Sequence, residues 1–210
     1  MYFSVYGESF REKIIEKSRF LTYVSHVESE EEAKSFLERV RSRHPLATHI
    51  CYGFIADKTG NVQRFSDDGE PQGTAGMPIL NVLKARKLFE TAVAVVRYFG
   101  GIKLGAGGLT RAYASSASEG LDSAQLCEYD ACVNLILHVE YPQIDALIRF
   151  LERERIEEVS RDFDERAKFT LSVREPDYSR FLERINNCFS GKIAIEEIGR
   201  VYAPFLVNKR

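Results

Sequence analysis

The sequence predicts an α+β protein in two parts, a mixed N-terminal region followed by a ferredoxin-like βαββαβ domain. Three observations carry this. Strand and helix periodicities alternate along the chain. From Cys132 the order is strand, helix, strand, strand, helix, strand, the split βαβ arrangement. Eight of the fourteen glycines fall between Gly69 and Gly108, so two loops of the first part carry unusual backbone geometry, as binding loops do.

Element by element, Phe20–Val24 reads as a strand. Ser29 with Glu32 three residues on forms a capping box. The helix it opens carries Ala33, Phe36, Leu37 and Val40 on one face and stops at Pro45. Strands at His49–Ala56 and Val62–Phe65 flank the turn-rich Asp57–Asn61, a hairpin signal. A polar loop, Ser66–Pro78, gives way to the helical pattern of Ile79, Leu80, Val82 and Leu83. Ala92–Val96 is an uninterrupted apolar run, the mark of a strand buried on both faces. It feeds a glycine-rich loop, Gly100–Gly108, and a helix beginning near Leu109.

In the second part Val133, Leu135, Leu137 and Val139 alternate. A helix starts at Pro142, strands follow near Ile156–Arg161 and Phe169–Val173, and a second helix starts at Pro176 with Gly191 as its C-cap. Ile193–Ile195 close the set.

Composition frames the function. In 210 residues, 44% hydrophobic and 29% charged is the balance of a globular chain with a packed core. No apolar run is long enough to span a bilayer, and the N-terminus has no basic region ahead of an apolar one, so neither membrane anchor nor signal peptide is expected. Cys51, Cys127, Cys132 and Cys188 form no Cys-x-x-Cys pair, and reduced thiols in the cytoplasm are the plain reading. A net charge of −2 gives no overall field for a polyanion, so any such partner must be met by a local basic surface.

The glycine-rich run is the first candidate site. A strand, a glycine loop and a helix start expose backbone N–H groups toward an anion, with Gly100, Gly101, Gly105, Gly107 and Gly108 supplying the backbone and Lys103 and Arg111 the charge. It is neither a Walker A loop, because Gly108 is followed by Leu109 rather than Lys, nor a dinucleotide fingerprint, because Thr110 stands where the last glycine belongs. Lys13, Lys17 and Arg19 are read as joining Arg97, Lys103 and Arg111 in one basic patch, or as a solvated face.

The second candidate is the acidic loop, where Asp67, Asp68 and Glu70, with Gln72 nearby, either gather a hard cation or form an Asx-type turn at a helix start. His49 and Cys51 share one strand face and read as a satisfied histidine beside a buried thiol. No catalytic residue, metal-ligand set or cofactor is assigned.

The run Phe65–Pro78, followed by Val95–Leu109, resembles the signature of the IMPACT family. Lys17-Ser18-Arg19-Phe20 and His49-Ile50-Cys51 resemble motifs of its bacterial branch, the YigZ family. The resemblance covers most of residues 10–125. It implies a ribosomal-protein-like α/β sandwich over residues 1–130, like domain IV of the translocating elongation factor. Residues 131–210 would then be a ferredoxin-like domain resembling that factor's C-terminal domain. Eukaryotic members act in translational control through a chain with an additional N-terminal domain, which is not seen in this sequence, so their partner is not carried over.

Two readings of function follow. The favoured one is a cytoplasmic, translation-associated binding protein. Its partner would be RNA, the ribosome or a translation factor. Lys103 and Arg111 would meet phosphates, supported by Arg97, while Tyr98 or Phe99 stacks on a base. The other is a hydrolase or phosphoryl-transfer enzyme using Asp67, Asp68 and Glu70 with the glycine loop as an anion site. No membrane partner and no particular small-molecule substrate is indicated.

Overall fold

The computed structural model describes residues 1–156 and 158–207. The chain divides into two compact units, one running Tyr2–Glu128 and rejoined from Phe205, the other Tyr129–Pro204 with Met1.

The first unit holds β1 (Tyr2–Tyr6), β2 (Glu8–Ile15), β3 (Ser18–His26), α1 (Glu30–Arg43), β4 (His49–Ile55), β5 (Gln63–Ser66), α2 (Gly76–Ala85), β6 (Thr91–Tyr98) and α3 (Gly105–Ser123). Strands β2 to β6 form one sheet in the order β2-β3-β6-β4-β5, antiparallel throughout. Two strands go beyond the sequence reading. β1 is short and is held by the bond from Phe89 N–H to the Phe3 carbonyl, 2.9 Å. β2 is an edge strand whose mixed charged sequence hides its alternation, the chemistry that keeps edges from pairing further.

Helices cover both faces of this sheet. On one side α1 buries Ala33, Phe36, Leu37 and Val40 against Leu21, Ile50, Phe54 and Val96. The predicted capping box is present, with Ser29 Oγ accepting from Glu32 N–H at 3.2 Å. On the other side α2 and α3 pack Ile79, Leu83, Tyr113 and Ala117 against Phe20, Val24, Cys51 and Val95. β6 lies in the middle, between β3 and β4, which is why its sequence is apolar without alternation.

Register then decides which side chains meet. Lys13 pairs with Phe20, Phe20 with Arg97, and Arg97 with His49, so these four form a row across β2, β3, β6 and β4 on the α2/α3 face. Ile14, Arg19 and Tyr98 form the neighbouring row, which alternation sends to the opposite face.

The second unit is ferredoxin-like. It contains most of β7 (Gln125–Val139), a 3₁₀ turn at Tyr141–Gln143, α4 (Ile144–Glu154), β8 (Glu158–Phe163), β9 (Ala167–Arg174), α5 (Glu175–Phe189) and most of β10 (Ala194–Leu206), with β7 pairing both β10 and β9, and β9 pairing β8. Leu135, Leu137, Phe169 and Leu171 meet Leu147, Phe150, Phe181 and Ile185 in its core. Two details differ from the sequence reading. β7 starts before Cys132, and α5 is closed by Ser190 (φ 52°), with Gly191 (φ 71°) after it. Among the described residues no helix is long and apolar enough to cross a membrane.

Candidate functional site

The acidic loop between β5 and α2 is built around the first residues of β4. Asp68 (φ 43°) and Gly69 (φ 85°) both take left-handed backbone, which turns the loop onto that strand. Asp68 Oδ2 accepts from Ile50 N–H at 2.6 Å, and the Asp68 carbonyl accepts from His49 Nδ1 at 2.8 Å. Gly69 lies beside the imidazole, where an added Cβ would stand 3.4 Å from Nδ1. The Asp67 carbonyl accepts from the Cys51 thiol at 3.0 Å.

The three carboxylates go to different partners. Asp67 accepts from the N–H groups of Gly73 (2.7 Å), Ala75 (2.9 Å) and Gly76 (2.8 Å), which caps α2 through a side chain distant in sequence. Burial opposes the Asp67 charge, and the N–H groups of Gly73, Gly76 and Ala75 outweigh it, holding the carboxyl below its usual range. Asp68 is spent on β4. Glu70 turns inward and is buried, its Oε1 accepting from Arg97 Nη1 at 2.6 Å and from Tyr113 Oη at 2.7 Å. The loop is therefore a turn with a helix cap rather than a convergent cation site. Gln72 is exposed on it.

Arg97 is the clearest departure from the sequence reading. It is 5% exposed and cannot meet a phosphate at the surface. β6 is central and Arg97 points to the α2/α3 face, so its guanidinium is enclosed. It bonds Glu70 and Ser18 Oγ (3.3 Å) and lies 5.5 Å from the ring centroids of both Phe20 and Phe99. Arg97 thus ties the acidic loop to the glycine loop from within.

The glycine loop is anchored by two N–H groups, Phe99 to Thr48 Oγ1 and Gly100 to Ser18 Oγ, each at 3.1 Å. Gly100 lies directly on the two-residue turn between β2 and β3, where Glu16 (φ 45°) and Lys17 (φ 62°) are both left-handed. The loop is shorter than the sequence suggests, because α3 begins at Gly105 rather than near Leu109. Gly105, Gly107 and Gly108 therefore belong to the first turn of α3, while Gly100 and Gly101 remain in the loop. Its four leading N–H groups have no side-chain cap, and the first turn carries no acidic residue.

An open cleft of about 560 Å³ adjoins this helix end, lined by Lys13, Ile15, Glu16, Lys103, Leu104, Arg111 and Ser115 among others. Lys103 and Arg111 are exposed, and Arg111 folds back so that Nη1 is 3.6 Å from the position of a Cβ on Gly107. Lys13 reaches Ser115 Oγ at 3.3 Å and pairs with Glu119. The single basic patch is thus resolved into parts. Lys13, Lys103 and Arg111 share the cleft, Lys17 is exposed on the hairpin turn, and Arg19 lies on the opposite face, paired with Glu12 at 2.8 Å and over the Tyr98 ring.

Of the two aromatics considered for stacking, Tyr98 is half-buried and bonded through its hydroxyl to His44 at 2.9 Å, whereas Phe99 is exposed. Cys51 is fully buried, and burial pushes its thiol up to about 12. Ser18, Tyr113 and the contact between His49 and Glu70 were not found from sequence. Ser18 and His49 stand in the short motifs Lys17–Phe20 and His49–Cys51, but Tyr113 carries no local signal.

Residues 16–121 match the Impact N-terminal domain, and residues 137–192 match a domain of unknown function, DUF1949. The chain is 37% identical to the IMPACT family member YvyE of Bacillus subtilis over 99% of this chain and 95% of that one. It is 34% identical to the IMPACT family member YigZ of Escherichia coli over 87% of this chain and 92% of the other. Among solved structures, one described as a hypothetical protein is 30% identical and superposes with a TM-score of 0.61, covering 94% of this chain and 97% of that one.

Proposed function

The chain belongs to the IMPACT family, and we propose that it is a cytoplasmic, translation-associated binding protein that meets RNA, alone or in the ribosome, through the cleft at the start of α3. The observation that carries this reading is the grouping of Lys13, Lys103 and Arg111 around an uncapped helix N-terminus. Cationic side chains and free N–H groups facing one opening form a site for phosphate oxygens. The two folds, ribosomal-protein-like and ferredoxin-like, agree with a partner in translation, since both resemble domains of an elongation factor. A hydrolytic or phosphoryl-transfer reading needs the carboxylates of Asp67, Asp68 and Glu70 to act on one point, and they are drawn to three separate sets of partners.

The test is fluorescence-anisotropy binding to short RNA over a salt series. Binding is expected to weaken with salt, and Lys103→Ala or Arg111→Ala each to lower the slope of log K against log salt by about 1. Absence of binding, or a slope unchanged in both variants, would refute the cleft as the contact.

A further inference from the structure

Phe99 is a large aromatic side chain, 47% exposed, on a backbone pinned at two successive residues. Its own N–H donates to Thr48 Oγ1, and the N–H of Gly100 donates to Ser18 Oγ. The guanidinium of Arg97 lies 5.5 Å from the ring centroid. Arg97 is itself buried, so the side of the ring that meets it is turned inward and the exposed area lies on the other side. The ring thus offers a π surface to solvent from a fixed position, with a cation behind it.

An isolated exposed aromatic carries no message, but this one has neighbours. Ile102, three residues on, is also exposed and lines the cleft. Lys103 is exposed beside it. Gly100, next to Phe99, rests on the backbone of Lys17, whose side chain is exposed on the turn between β2 and β3. That same turn reaches the cleft through Glu16. The ring is therefore set among two lysines on adjoining segments, and both segments run on into the cationic cleft.

The chemistry of the ring narrows the occupant. Cations alone take any phosphate chain, paired or unpaired. In a duplex the bases cover one another and present only their edges, so the ring has no base face to meet. An unpaired base brings a free π face, and stacking on an aromatic side chain is open to every base. Tyr98 cannot share this task, because it faces the other side of the sheet with its hydroxyl bonded to His44.

We propose that Phe99 is a stacking platform for an unpaired base of RNA held at the cleft, with Lys17 and Lys103 taking the flanking phosphates, so that the protein prefers single-stranded to duplex RNA. This rests on the nucleic-acid reading of the cleft.

The experiment compares anisotropy binding by the full chain of fluorescein-labelled oligouridine, alone and annealed to oligoadenosine. The wild type is expected to bind the single strand about 5-fold or more tightly than the duplex. Phe99→Ala is expected to weaken single-strand binding by about 5- to 100-fold, with duplex affinity and the salt slope unchanged. Phe99→Trp, which keeps a π face, is expected to retain the preference. The chain contains no tryptophan, so emission from the Phe99→Trp variant comes from that position alone. The single strand is expected to quench it, and the duplex to leave it unmoved. Equal binding of both forms by the wild type, a preference that survives Phe99→Ala, or emission unmoved by bound oligouridine overturns the platform and leaves the cleft standing. Binding of neither form overturns the nucleic-acid reading and this one with it.

Discussion

Gly100 lies so close to Lys17 that a Cβ built on Gly100 would stand 2.0 Å from the Lys17 carbonyl carbon. The neighbour is backbone within a tight turn between two paired strands, so neither side can yield cheaply. Gly100→Ala is therefore expected to destabilise the protein by about 3 kcal/mol or more, or to push the glycine loop off Ser18. Urea unfolding measures the first outcome, and loss of protection at the Gly100 amide in hydrogen exchange measures the second.

Arg97 and Glu70 are each almost wholly buried, at 2.6 Å, and neither has water to fall back on. Arg97→Met strands the carboxylate and should cost about 3 to 5 kcal/mol. Adding Glu70→Gln removes the stranded charge, so the double variant is expected to be more stable than the sum of the two single losses. Chemical denaturation of all four proteins completes the cycle; strict additivity would show that the two residues do not act as a pair.

Asp67 caps α2 from outside the helix. Asp67→Asn retains the shape but loses the charge, and a loss of about 1 to 2 kcal/mol at neutral pH is expected. The folded-state pKa is depressed, so the carboxylate's contribution is fully present above the unfolded carboxyl range, near pH 4, and is lost as pH falls through the lower folded value. The stability gap between wild type and variant should stay level from pH 7 to about 5 and close below about 4. A gap that closed near pH 6 would point to another group.

The thiols should separate by reactivity. Cys188 is exposed, whereas Cys51 is buried with its thiol pushed up to about 12. At pH 8 a thiol reagent is expected to modify Cys188 first and Cys51 on the order of 1,000-fold more slowly. All four cysteines should become equivalent in urea. Rapid loss of Cys51 in the native protein would mean that the acidic loop opens.

What was legible in the sequence is what local pattern dictates. Ala92–Val96 announced a strand covered on both faces, Ser29 with Glu32 announced a helix start, and the alternation from Val133 gave the ferredoxin-like order. β2 escaped because an edge strand with Arg11, Glu12 and Lys13 in succession has no apolar face to betray it. The site was legible as two loops but not as an arrangement. The burial of Arg97 follows from β6 being the middle strand, and the meeting of Glu70 with Tyr113 links residues 43 apart. Such facts belong to strand order and register, which spacing along the chain does not encode.

The first turn of α3 holds Gly105, Gly107 and Gly108, whereas Leu109, Ala112 and Tyr113 just beyond are locked in the core. Each glycine there weakens the helical state by roughly 1 kcal/mol relative to alanine. The start of α3 is therefore held less by its own helical preference than by Leu104, which packs on the core just ahead of it and so sets where the neighbouring Lys103 leaves the chain.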